Sequence, residues 1–337
     1  MIDLLGLVLL SFIVTSFFMI PFVNLLFALR RKYKKSIPKG YDPSKTPIHN
    51  KLLAGKDIDT PVGGGILILL MVIGLSVTYA NFSGLVHPTD LYILLFSLIS
   101  FGFVGLLDDT KKIFTAFNGK YAGIRARYIF LFQIIFAVII AGMLYFLMGL
   151  NNIYISGFGN FMIGTWYIPL AAFMIVAFSN AYNISDGLDG LSAGLLVICL
   201  FAFLVLASAT LNLTLASFIG IWIGTLFSYL YFNVYPARIY LGDAGALAFG
   251  ATLAVVGLLT GKILALGIIS GVFVVIVASS AIQMFSKRFL KRKAFPVAPI
   301  HMYFKYIGWQ EPKIVFRFWL AGSIFAIFGL WLSLLSR

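Results

Sequence analysis

Four stretches of this sequence gather the side chains that hold metal ions and phosphates, and each borders a long apolar run. GLLDDTKK at 105–112 places Asp108 beside Asp109, with Lys111 and Lys112 following. Adjacent carboxylates repel, and near a low-dielectric boundary one of them takes up a proton unless a cation neutralises the pair. A metal ion or basic partner satisfies that demand; a hydrated helix end with the two lysines as counter-charges does so as well. NAYNISDGLDGLSAG at 180–194 offers Asn183, Asp186 and Asp189 at three-residue spacing, which on a helical turn puts them on one face. Gly187 and Gly190, on either side of Leu188 and Asp189, let the backbone turn tightly or approach a ligand. A capped interhelical turn is the plainer reading, but a cap needs one polar residue and this loop offers several.

The third stretch, FNVYPARIYLGDAGALAFG at 232–250, carries Asn233, Tyr240 and Asp243. Asp243 opens a run of small residues, where a carboxylate suits the positive end of a helix dipole. Small neighbours also leave room for a metal ion and its phosphate ligand. Magnesium is the natural candidate, because it is oxygen-liganded and usually held by one or two carboxylates plus substrate phosphates. The fourth, FPVAPIHMYFKYIGWQEPK at 295–313, contains His301 between prolines and aromatics. A lone loop histidine is ordinarily structural, so a chemical role for His301 depends on its meeting the other three stretches.

The elements that must bring these residues together are membrane helices. Of the 337 residues 61% are hydrophobic and 11% charged, against about 25% charged in soluble domains. A spanning helix needs about 20 mainly apolar residues, and ten segments meet that requirement: 4–29, 63–80, 91–107, 128–150, 162–179, 191–207, 213–231, 244–259, 263–285 and 318–335. The expected fold is all-α and polytopic, a single domain over 1–337. The first segment has no basic leader or cleavage site and runs into Arg30, Arg31, Lys32, Lys34 and Lys35, which reads as a retained span with its N-terminus outside. Alternation then places 30–61, 108–127, 182–190, 232–243 and 286–317 in the cytoplasm and the C-terminus outside.

The net charge of +14 agrees with that topology. Of the 25 lysines and arginines, all but Lys262 and Arg337 fall on the cytoplasmic side, as the positive-inside rule requires. The basic loops therefore face anionic lipid and anionic substrates, and no nucleic-acid partner is needed. The single cysteine, Cys199, lies in an apolar run and is expected to be a buried thiol. Of the 11 acids, Asp3 and Asp90 fall outside, while Asp42, Asp57, Asp59 and Glu311 are expected to be solvated in long inner loops. The other five, Asp108, Asp109, Asp186, Asp189 and Asp243, stand at the inner ends of spans. An ion-coupled transporter would place its acids near the bilayer midplane, often in broken helices, and this distribution favours surface chemistry instead.

Taken in order, TPVGGG at 60–65, GLLDDTKK, GIRARYIFLFQ at 123–133, NAYNISDGLDGL, FNVYPARIYLGDAGAL and APIHMYFKYIGWQEPKIVFRFW at 298–319 resemble the polyprenyl-phosphate N-acetylhexosamine-1-phosphate transferase superfamily. Within it, the last block resembles the phospho-N-acetylmuramoyl-pentapeptide transferases. The resemblance implies ten spans in a bacterial inner membrane, a magnesium cofactor, a possible homodimer, and transfer from UDP-N-acetylmuramoyl-pentapeptide to undecaprenyl phosphate, giving lipid I and UMP. It implies catalytic roles for Asp108, Asp109 and His301, and metal binding by Asp243 and Asp109. It further implies substrate contacts from Lys112, Asn183, Asp186, Gly187, Leu188, Asp189, Asn233 and Tyr240, the last stacking on uracil. The chain departs from the family at Met302 and Tyr303, where histidines are expected, at Asp57 and Ile129 in place of lysines, and at Val62 in place of threonine. These departures bear on the donor sugar, and the rival donor is UDP-N-acetylglucosamine or a related UDP-sugar.

Overall fold

The computed structural model describes residues 2–32, 60–84, 87–117, 123–155 and 158–335. Lys34, Lys35, Asp42, Lys56, Asp57 and Asp59 lie outside the described residues. The described chain is built from helices α1 (Ile2–Lys32), α2 (Gly64–Ser83), α3 (Pro88–Phe117), α4 (Ala126–Phe146), α5 (Tyr167–Ser185) and α6 (Leu191–Ala209). It continues through α7 (Leu213–Asn233), α8 (Asp243–Leu259), α9 (Ile263–Ile269), α10 (Gly271–Phe289), α11 (Ile300–Tyr306) and α12 (Glu311–Leu334). Nine of these, α1 to α7, α10 and α12, are long and apolar enough to cross a membrane. α8, at 17 residues, spans about 25 Å at 1.5 Å per residue.

α8 is the axis of the bundle. Every residue from Ala244 to Leu258 is buried, and the helix packs chiefly against α3 and α5. Its small residues permit that closeness. A Cβ at Gly105 of α3 would stand 2.1 Å from the Asp243 carbonyl oxygen, so only glycine lets the end of α3 meet the start of α8. At the periphery, α1 packs along α7 and turns Leu5, Leu9, Ile13 and Phe17 outward. Such exposure suits hydrocarbon, where an outward leucine costs nothing.

Two features depart from the sequence reading. The segment expected as one span over 263–285 is divided: α9 ends at Ile269, and Ser270 leaves helical geometry before α10 begins. Gly267 and Gly271 flank the break, and glycine weakens a helix interior. The connection after α4 also holds a small antiparallel hairpin, β1 (Asn152–Ile155) with β2 (Gly159–Met162), Asn152 facing Met162. Cys199 is a buried free thiol, as expected.

Candidate active site

The ends of α3, α5, α7 and α10 and the starts of α2, α4, α6, α8 and α12 meet at one end of the bundle, and the polar stretches converge there. On the last turns of α3, Asp108 and Lys112 are four residues apart and pair, Lys112 Nζ lying 2.7 Å from Asp108 Oδ2. The same ammonium bridges across to the Asp243 carboxylate at the start of α8. Asp108 Oδ1 accepts the Ile124 N–H at 2.5 Å, tying α3 to the entry of α4. Asp109 Oδ2 accepts the Ala244 N–H at 3.0 Å. It thereby satisfies one of the free N–H groups that open α8, where negative charge is favoured by the helix dipole.

Three carboxylates thus gather about one ammonium. Asp108 is buried, but the side chains of Lys112 and Asp243 keep 27% and 22% of their surface. Gly242, with φ +83°, lets the chain turn into α8 beside Asp109; a Cβ there would meet Asp109 Oδ2 at 2.8 Å. The segment before it is held in extended form. Tyr240 pairs in parallel with Val62, its N–H donating to the Pro61 carbonyl at 2.9 Å. Its carbonyl accepts the Gly63 and Gly64 N–H groups at 3.0 and 2.9 Å. This places Thr60–Gly65 and the half-buried Tyr240 on the rim of the cluster.

The acids of the second stretch have a different setting. α5 stops at Ser185, and Asp186–Gly190 forms an irregular turn before α6, so Asp186 and Asp189 do not share a helical face. Asp186 Oδ1 accepts the Ser192 hydroxyl at 2.5 Å. Asp189 is buried and its Oδ2 accepts the Ala237 N–H at 3.0 Å. Asn233 Oδ1 accepts the Gly190 N–H at 3.0 Å while its amide donates to the Ile239 carbonyl at 2.9 Å. Ala237 in turn accepts the Thr60 hydroxyl at 3.0 Å. Asp189 and Asn233 therefore lock the 186–190 turn to the 233–239 segment. Asn183 is half-buried on the last turn of α5, and Leu188 is buried with its carbonyl accepting the Leu191 N–H at 3.1 Å.

His301, on the short helix α11, is brought to the same turn. A Cβ at Gly187 would stand 2.9 Å from its Nε2. Glu311, expected to be solvated, is instead buried: Oε1 accepts the Asp189 N–H at 2.8 Å and Oε2 accepts Lys305 Nζ at 2.6 Å. Sequence reading missed this pair because Glu311 lies in a polar loop; its position at the first turn of α12, followed by Pro312, is the signal for a helix start rather than a loop.

Residues 91–261 match the family model described as Glycosyl transferase family 4, which is half of the chain. The chain is 34% identical over 289 residues to the phospho-N-acetylmuramoyl-pentapeptide-transferase of Borreliella burgdorferi, covering 80% of each chain. The protein of that name from Geobacillus thermodenitrificans is 38% identical over 281 residues, 82% of this chain and 85% of the relative. That from Bacillus subtilis is 32% identical over 279 residues, with the same coverage. The chain belongs to the phospho-N-acetylmuramoyl-pentapeptide-transferase family. The matched span 91–261 runs from α3 to the end of α8, so in this transferase the family model covers Asp108, Asp109, Lys112, Asp186, Asp189, Asn233 and Asp243. His301 and the Lys305–Glu311 pair lie beyond it.

Proposed function

We propose that this transferase moves phospho-N-acetylmuramoyl-pentapeptide from its UDP carrier to undecaprenyl phosphate, forming lipid I and releasing UMP. The observation that carries the reading is the convergence of Asp108, Asp109, Lys112 and Asp243 at one end of a membrane bundle, in a chain whose relatives bear the name of that reaction. An oxygen of the lipid phosphate attacks the sugar-side phosphorus of the diphosphate. The bond from that phosphorus to the bridging oxygen breaks, and UMP leaves with that oxygen. Such transfers need chiefly positioning and charge stabilisation.

The residues fit a magnesium ion. The donors at this end are carboxylate oxygens of Asp108, Asp109 and Asp243, hard ligands of the kind that magnesium takes together with substrate phosphates. Asp243 and Asp109 would hold it, with Asp108 and Lys112 beside them. A bound divalent ion supplies charge neutralisation on the phosphoryl oxygens. Lys112 supplies a point charge toward the diphosphate and holds Asp108 and Asp243 together against their mutual repulsion. Asp108 or Asp109 takes a proton from the acceptor phosphate, His301 orients a diphosphate oxygen, and Tyr240 on the rim offers a ring to the uracil. Gly187 and the neighbouring turn approach the sugar phosphate.

The proposed setting is the bacterial inner membrane with this end of the bundle in the cytoplasm and both termini outside, a reading supported by the 23 lysines and arginines that the sequence topology puts on one side. A homodimer is the expected assembly. Offering UDP-N-acetylmuramoyl-pentapeptide and UDP-N-acetylglucosamine separately, with undecaprenyl phosphate and magnesium, tests the reading. A lipid product of the mass of lipid I from the first donor alone is expected; transfer from the second alone would overturn the donor.

A further inference from the structure

α11 is only two turns long, and it carries His301 and Lys305 four residues apart, hence on one face. Both ends of that face grip the Asp186–Gly190 turn. His301 lies against Gly187, while Lys305 reaches Glu311, whose second oxygen takes the Asp189 N–H. Glu311 is 7% exposed, and the Lys305 side chain 19%. Each oxygen of the glutamate therefore has its own partner in a setting nearly free of solvent, an arrangement that fixes orientation as well as distance. A buried carboxylate stripped of its partner is strongly unfavourable, so the pair holds α11 to the turn in one register. Asp189, the residue so held, passes the constraint on through its carboxylate to Ala237 and the segment leading to Tyr240 and Asp243.

On the strength of the transferase reading above, we propose that Glu311, held by Lys305, is a positioning residue for the reaction: the ion pair seats His301 on the Asp186–Gly190 turn so that imidazole and turn face the donor diphosphate as one unit. The pair acts through His301, and its contribution is to turnover more than to the binding of donor.

The test uses the purified full chain in lipid or detergent. Lys305→Met is expected to lower kcat about 10- to 100-fold, the range for residues that orient reacting groups from behind, with a much smaller change in donor KM. Lys305→Arg restores most of the loss. In a His301→Gln background, Lys305→Met costs little further, because residues acting as one unit are not additive. Amide hydrogen exchange of the 186–190 turn rises in Lys305→Met, and the melting temperature falls because the Glu311 carboxylate is left buried without its ammonium; turnover is therefore compared at a temperature where size-exclusion chromatography shows both chains folded. Losses that multiply in the double variant, or unchanged exchange at the turn, would overturn the proposal. A wild-type chain that transfers from neither UDP donor would overturn the transferase reading instead, with exchange at the turn still deciding whether the pair holds it.

Discussion

Two acidic clusters stand at the same end of this bundle and are made of the same residue types, yet they are arranged for different work. At the α3–α8 junction Asp108 and Asp243 share Lys112 with Asp109 beside them on the Ala244 N–H, and Asp243 and Lys112 keep part of their surface open. At the 186–190 turn, Asp189 and Glu311 are each 7% exposed; Asp189 Oδ2 takes the Ala237 N–H, and the two Glu311 oxygens take the Asp189 N–H and Lys305. The first cluster sets three carboxyl groups beside the Lys112 ammonium and remains partly accessible. The second is closed. An aspartate at a membrane surface is thus a candidate for chemistry when its charge is left over, and part of the scaffold when its hydrogen bonds are complete.

This comparison is broken most sharply in the first cluster. Asp243→Asn or Asp109→Asn is expected to abolish metal-dependent UMP release, a loss on the order of 10³-fold or more for a group that stabilises phosphoryl transfer, with the chain still folded by size-exclusion chromatography. Lys112→Met should follow with about a 10²-fold loss, since the carboxylates lose their shared cation. Gly105→Ala forces a methyl into the Asp243 carbonyl; overpacking of this kind costs about 1–3 kcal/mol and should lower both the melting temperature and turnover by parting α3 from α8.

At the second cluster, Asn233 should answer in stability. Asn233→Ala leaves the Gly190 N–H and the Ile239 carbonyl without the amide that joins them. Unmet buried groups of this kind cost about 1–3 kcal/mol each, which thermal unfolding in detergent will show. The smallest effect is expected at the other end of the bundle, where Lys262 donates to the Ser333 carbonyl and lies over the Tyr154 ring. Lys262→Met should leave the rate of UMP release unchanged and lower the melting temperature slightly.

Much of the architecture was legible because membranes impose a simple rule: a chain crosses hydrocarbon in apolar runs of helix, and the ten runs are plain in the sequence. The meeting of Asp108, Asp109 and Asp243 was legible as well, since alternating spans bring those helix ends to one side. The break at Ser270 was not, because an apolar run reads the same whether or not its helix is continuous, and Gly267 and Gly271 alone do not require a stop. The division between Asp186 and Asp189 was hidden for a related reason. Three-residue spacing means a shared face only inside a helix, and α5 ends one residue before Asp186. Glu311 was misread because burial of a loop acid depends on partners distant in sequence: the Asp189 N–H is 122 residues away.

The central claim is that the open cluster, with its excess of carboxylate, is where metal and diphosphate meet. It is tested most directly by titrating magnesium into wild type, Asp243→Asn and Asn233→Ala while following UMP release from UDP-N-acetylmuramoyl-pentapeptide. Saturable magnesium dependence is expected in wild type and in folded Asn233→Ala, and no magnesium-dependent release in Asp243→Asn. Full turnover by Asp243→Asn at the same magnesium concentration as wild type would contradict the account.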